Sequence, residues 1–147
     1  MVSREEMGSW LEGTPVGTTS RGARLGLPAD GPGSMARIGR RIGALCVDWA
    51  CCLVVSVAFF HGNPTATLLV FLAENVLLVG TAGFTLGHLL LGLRVRRMLP
   101  GVPDGPPGPL RGLYRALLLC LVIPAIVWDA DGRGLHDRIS GTAIVRR

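Results

Sequence analysis

Three apolar stretches separated by polar, glycine- and proline-rich segments set the pattern of this chain. The first, Ile42 to Phe60, is an almost unbroken run of apolar and small residues holding one carboxylate, Asp48. As a helix, its roughly nineteen residues rise 1.5 Å each and cover about 28 Å, close to the hydrocarbon thickness of about 30 Å. An acid near the helix centre opposes insertion by about 2.5–3.5 kcal/mol, while the large apolar residues of the run together favour it by about 3–5 kcal/mol. The helix is therefore expected to insert.

The turn cluster His61-Gly62-Asn63-Pro64 leads into a second stretch, Thr65 to Phe84, which is again long enough to span and has Glu74 and Asn75 near its middle. The third, Leu113 to Trp128, covers roughly 24 Å and contains Pro124, so it either spans tilted or at a thinned site, or enters and returns on one side. Between them, Thr85 to Arg97 reads as a short interfacial helix running into a strand. The proline-rich segment Leu99 to Leu110 reads as an extended, partly mobile loop. Leu93-Arg94-Val95-Arg96 and Thr142-Ala143-Ile144-Val145 are both short and β-prone next to glycine, and pairing them satisfies both. That pairing puts Arg94 and Ile144 on one side and favours a re-entrant third stretch, with a three-span chain as the alternative. The expected fold is all-α membrane, a transmembrane helical hairpin plus a third short apolar helix, with a small cytoplasmic β pair.

Residues 1–35 are rich in Gly, Pro, Ser and Thr without periodicity and predict a disordered cytoplasmic tail ahead of a membrane domain over 36–147, with spans at about 42–60, 65–84 and 113–128. No basic start followed by an apolar core precedes Ile42, so the first span is expected to remain in the mature protein.

Composition agrees with a single membrane domain: 49% of residues are hydrophobic and mean hydropathy is +0.46. The net charge of +5 is carried by arginine alone. Arg37, Arg40 and Arg41 precede the first span, Arg94, Arg96 and Arg97 follow the second, and the connecting loop has none, so the positive-inside rule puts both basic ends and the N-terminus in the cytoplasm. Arginines at the ends of apolar segments, without interleaved aromatics, point to anionic lipid headgroups rather than nucleic acid. Cys46, Cys51, Cys52 and Cys120 lie inside apolar stretches and match neither a disulfide framework nor a zinc spacing, so no metal or cofactor is expected.

Three segments then fall into one order: Arg41-x-x-Ala44-x-x-x-Asp48 opening the first span, Thr85-x-Gly87 with Gly92-Leu93-Arg94-Val95 after the second, and Arg133-Gly134-Leu135-His136-Asp137-Arg138-x-Ser140-Gly141-Thr142 near the end. Over about Ala36 to Val145 the chain resembles the RDD family of small prokaryotic membrane proteins, named for one arginine and two aspartates. The resemblance assigns these to Arg41, Asp48 and Asp137, with Ala44, Thr85, Gly87, Gly92, Arg94, Arg133, His136, Arg138, Gly141 and Thr142 in support. It implies a multi-pass protein of the prokaryotic cell membrane, and no established molecular function. His88 departs from it, since relatives carry a lysine there.

Seven helical residues turn through about 700°, so Arg41 and Asp48 share a face with small Ala44 between them. Asp48 is either a packing anchor inside a bundle or a proton or cation site. Glu74 lies within about 7 Å of its level and would share its polar cavity. Asp137, in a charged turn, is expected to be structural, pairing with an arginine among Arg94 to Arg97 or with Arg111 or Arg115. His136-Asp137 has no nucleophile in a recognisable setting, so a membrane-bound enzyme is the weakest reading. The leading expectation is a membrane structural or interaction subunit, partnered by a homo-oligomer or another membrane protein; the alternative is a component of an oligomeric cation or proton transporter.

Overall fold

The computed structural model describes residues 21–121 and 132–147. Helix α1 (Ile38–Phe60) runs 23 residues without an interior proline and stops where His61 and Gly62 both adopt left-handed backbone, φ 53° and 74°. The amides of both residues fold back onto the Ser56 carbonyl, which closes the helix end. Helix α2 (Pro64–Glu74) restarts at once because its first turn is prepared twice. Pro64 presets the backbone, and Asn63 Oδ1 accepts the Thr65 and Ala66 amides at 2.9 and 3.3 Å. The chain continues through a π turn at Asn75–Val79, where Asn75 Nδ2 donates back to the Phe71 carbonyl at 3.0 Å. Trp49 of α1 stacks on Phe71 of α2, ring centroids 5.0 Å apart, so the two helices form a packed hairpin.

After a turn at Gly83 come α3 (Leu86–Leu90) and β1 (Leu93–Arg97). Helices α4 (Pro109–Cys120) and α5 (Leu135–Ser140) follow, and Gly141, at φ 65°, turns the chain into β2 (Thr142–Arg146). β1 and β2 pair antiparallel with Val95 opposite Ile144, the pairing the two β-prone segments require. The small core beneath them joins Leu93, Val95 and Ile144 to Ala36, Ala44 and Val79.

Three expectations change. Residues 21–35 are not a loose tail: Gly33 and Ala36 donate to the Arg146 and Ile144 carbonyls, Arg146 donates to Ser34, and Leu27 and Met35 are buried against Ala143 and Val145. This strip covers the free edge of β2, and two isolated apolar residues leave no periodic signal of such docking. Residues 1–20 lie outside the described residues. The second apolar stretch has its long helix over Pro64–Val79 only, so among the described residues α1, with mean hydropathy 2.2, is the one helix long and apolar enough to cross a membrane. Helix α4 begins at Pro109, inside the expected loop, since proline suits the first helical position. The remainder of the third stretch, 122–128 with Pro124, lies outside the described residues.

Side-chain polarity is distributed inside-out. The buried stripe of α1 is Arg41, Ala44, Asp48, Cys52 and Ser56, while Val54, Val57 and Phe59 are 69%, 59% and 75% exposed. α4 repeats the arrangement: Gly112, Arg115 and Ala116 are buried, whereas Leu110, Tyr114, Leu117 and Leu121 face outward.

Candidate functional site: a buried arginine–aspartate cluster

The inward stripe of α1 delivers Asp48 to the start of α3. Its Oδ1 accepts the Gly87 amide at 2.7 Å and its Oδ2 accepts the Thr85 hydroxyl at 2.6 Å. A Cβ at residue 87 would collide with the Ala44 carbonyl, so the small residues Ala44 and Gly87 are what let the two backbones approach. Ala44, Asp48, Thr85 and Gly87 therefore form one contact. His88 completes it as a capping box: its Nδ1 accepts the Thr85 amide at 3.2 Å, and its own amide donates to Thr85 Oγ1 at 3.3 Å. Burial, helped by the nearby charges of Arg115 and Arg41, pushes the His88 imidazole down to about 3, so it is neutral at ordinary pH.

Asp137, from α5, is fully buried and is the hub of the second contact. Arg115 Nε of α4 donates to its Oδ1 at 3.0 Å, Arg41 Nη1 of α1 lies 3.8 Å from its Oδ2, and His136 Nε2 lies 3.5 Å from Oδ1. Burial alone would raise this carboxyl. The charges of His136, Arg115 and Arg41, with the Arg115 hydrogen bond, outweigh that and hold it well below the usual carboxylate range. Arg115 also reaches Asn75 Oδ1 in the π turn at 3.2 Å, so one guanidinium ties α4 to both the π turn and α5. Arg133 donates to the Thr142 carbonyl at 2.9 Å, Thr142 Oγ1 reaches Asp137 Oδ1 at 3.3 Å, and Arg41 Nη2 reaches the Ile144 carbonyl at 3.4 Å.

Of the arginines considered for Asp137, Arg115 is the partner and Arg41 the addition. Arg94 and Arg96 instead hold Asp104 of the proline-rich loop, and hydrogen bonding from Arg96 lowers the Asp104 carboxyl. Arg111 caps the Ser140 carbonyl at 2.9 Å. Gly92, at φ 65°, is the turn into β1, and Arg138 is exposed. Arg41, Asp48, His88, Arg115 and His136 line a common cavity of about 60 Å³, room for a few waters. Asp137 Oδ2 accepts no hydrogen bond among the described residues.

Glu74 does not line that cavity. Its carboxylate accepts from Cys52 Sγ at 3.3 Å and reaches the Leu86 amide, next to the Gly87 amide that Asp48 holds, at 3.5 Å. Asn75 is the participant to which the sequence alone assigns no role in the site, and its signal is an amide inside an apolar stretch; Arg115 stands in the sequence as one of several candidate partners of Asp137. Among the described residues no three His, Cys, Asp or Glu side chains group as metal ligands. No family model, curated protein or solved structure matches the chain.

Proposed function

We propose that this chain is an integral membrane protein of the RDD type, acting as a structural or interaction subunit without catalysis of its own. In this reading its buried arginine–aspartate cluster fastens a helical hairpin to a cytoplasmic β pair. The observation that carries the reading is the inside-out stripe of α1, with Arg41 and Asp48 buried while Leu53, Val54, Val57, Phe59 and Phe60 are exposed. Water would penalise so large an apolar surface, whereas lipid accepts it and drives charged side chains inward onto partners. α2 and its π turn, roughly 24 Å long, cross with α1 as a hairpin by local thinning of the bilayer. The pairing of β1 with β2 supports a C-terminal segment on the same side as Arg94, the cytoplasmic side by arginine distribution. Meeting of Arg41 with Asp137, and of Asp48 with Thr85 and Gly87, gives the RDD pattern a physical purpose: each pair joins segments distant in sequence.

The test is extraction and labelling in intact cells. The chain should resist alkaline carbonate, a cysteine at His61 should react with an impermeant maleimide, and one at exposed Arg138 should not. Release by carbonate, or labelling at Arg138, contradicts the reading.

A second reading is favoured by the placement of Asp48 and Glu74 on adjacent backbone amides, those of Gly87 and Leu86. Two neighbouring carboxyls inside a bundle suit a proton or cation site in an oligomeric transporter. Cation-dependent proton flux in liposomes, lost in Asp48→Asn, would establish it; absence of flux would leave the subunit role.

A further inference from the structure

A groove of about 730 Å³ opens at the foot of α1, between the ordered 21–35 segment and the end of β2, and among the described residues it is lined by Arg21, Arg37, Arg40 and Arg146 with Asp30 as the one acid. The arginines Arg37, Arg40 and Arg146 outnumber the acid in this described lining. Among the described residues Arg37, Arg40 and Arg146 have no carboxylate partner; the acids that pair with arginine are Asp104 and Asp137, both elsewhere. Gly39 also lines the groove, and the space in front of its Cα is open. The apolar surface of the first span begins immediately above, where Ile42 is 54% exposed.

We propose that this groove holds the headgroup of one anionic phospholipid, its phosphate between the guanidiniums of Arg37, Arg40 and Arg146 and its acyl chains along the exposed face of α1. The shape and the chemistry agree. Guanidiniums bind phosphate oxygens in pairs of hydrogen bonds, and basic pockets at the cytoplasmic end of a span are where such headgroups gather. The occupant must carry an anionic head on an apolar tail, because the cationic pocket and the apolar helix face adjoin. Free phosphate satisfies only the first half. The groove walls come from the N-terminal strip, α1 and β2 together, so a bound headgroup also braces the strip that covers the sheet edge.

The site rests on the membrane reading above, and the experiment separates the two. The full chain in neutral detergent is titrated with short-chain phosphatidylglycerol, phosphatidylcholine or inorganic phosphate, with native mass spectrometry counting retained lipid and thermal unfolding reporting protection. One phosphatidylglycerol retained per chain is expected, with no retained phosphatidylcholine and little protection by inorganic phosphate. The doubly substituted Arg37→Gln/Arg40→Gln chain should bind roughly tenfold or more weakly. Arg94→Gln/Arg97→Gln, which removes the same charge elsewhere, should bind as the parent does. Far-ultraviolet circular dichroism of both variants shows whether they remain folded. Should the first pair unfold, Arg146→Gln, outside α1, takes its place. Equal loss in the Arg94/Arg97 control, equal binding of phosphatidylcholine, or full protection by inorganic phosphate would each overturn the lipid site. A chain released from membranes by carbonate would contradict the membrane reading, whatever the titration gives.

Discussion

Asp48 Oδ1 accepts the Gly87 amide at 2.7 Å, and the contact exists because residue 87 has no side chain to strike the Ala44 carbonyl. α1 and α3 are thereby joined through a carboxylate on one side and bare backbone on the other. Gly87→Ala should separate them and lower stability by about 1–3 kcal/mol, the usual cost of forcing volume into a filled contact. Gly39→Ala, where the space is open, should be neutral or stabilising by up to about 1 kcal/mol. Thermal unfolding of both variants in the same detergent compares them; equal effects would contradict the contact.

Asp137 pairs with both Arg115 and Arg41, and the three side chains are 0%, 3% and 5% exposed respectively. Asp137→Asn should cost about 3–5 kcal/mol, because it removes the buried carboxylate charge that both guanidiniums approach. Arg115→Met should cost a comparable amount. The double variant should cost clearly less than the two single losses added, as befits groups in one network. Strict additivity in denaturant unfolding would show that the two side chains do not act together.

Stability should fall on acidification through the window of His88. Its imidazole titrates near 6.5 when unfolded and near 3 in the fold, where it faces Arg115, Arg41, Asp137 and His136. The unfolded chain therefore binds the extra proton first, and stability present above pH 6.5 is lost progressively down to about pH 3. Asp137, also depressed, adds its own loss only below its ordinary 3.8. His88→Gln keeps an acceptor for the Thr85 amide at the position where a capping box favours glutamine, yet does not titrate. Its unfolding temperature should vary less between pH 6.5 and 4.5 than that of the parent. Parallel pH curves would remove His88 from the explanation.

Much of this architecture is visible in the sequence, and the parts that are not share a cause. Asn63-Pro64 announces the hairpin because capping and proline act locally, and Leu93–Val95 with Thr142–Val145 announce the strand pair because β-prone segments next to glycine need partners. The seven-residue spacing of Arg41 and Asp48 places both on one helix face, and both are on the buried stripe of α1. Leu27 and Met35 give no local signal, since their burial depends on a sheet completed by the last residues of the chain. The choice of Arg115 over Arg94, Arg96 or Arg111 for Asp137 is of the same kind: several cations compete, and only the packing of α4 against α5 and the π turn decides. Asn75 sits in a π turn and His88 in a capping box set by Thr85, local geometries that the apolar pattern of the sequence does not announce.

The inside-out stripe of α1 is open to direct measurement by spin labels attached at Val54, Val57 and Ser56 on a chain whose four native cysteines are replaced, reconstituted in vesicles. Val54 and Val57 are 69% and 59% exposed and Ser56 is 0% exposed. A lipid-facing surface dissolves oxygen and excludes water-soluble nickel chelates. The labels at Val54 and Val57 should therefore collide freely with oxygen and hardly with nickel, while the label at Ser56 meets little of either. Frequent nickel collisions at Val54 and Val57 would mean that this face meets water, and would contradict a membrane-spanning α1.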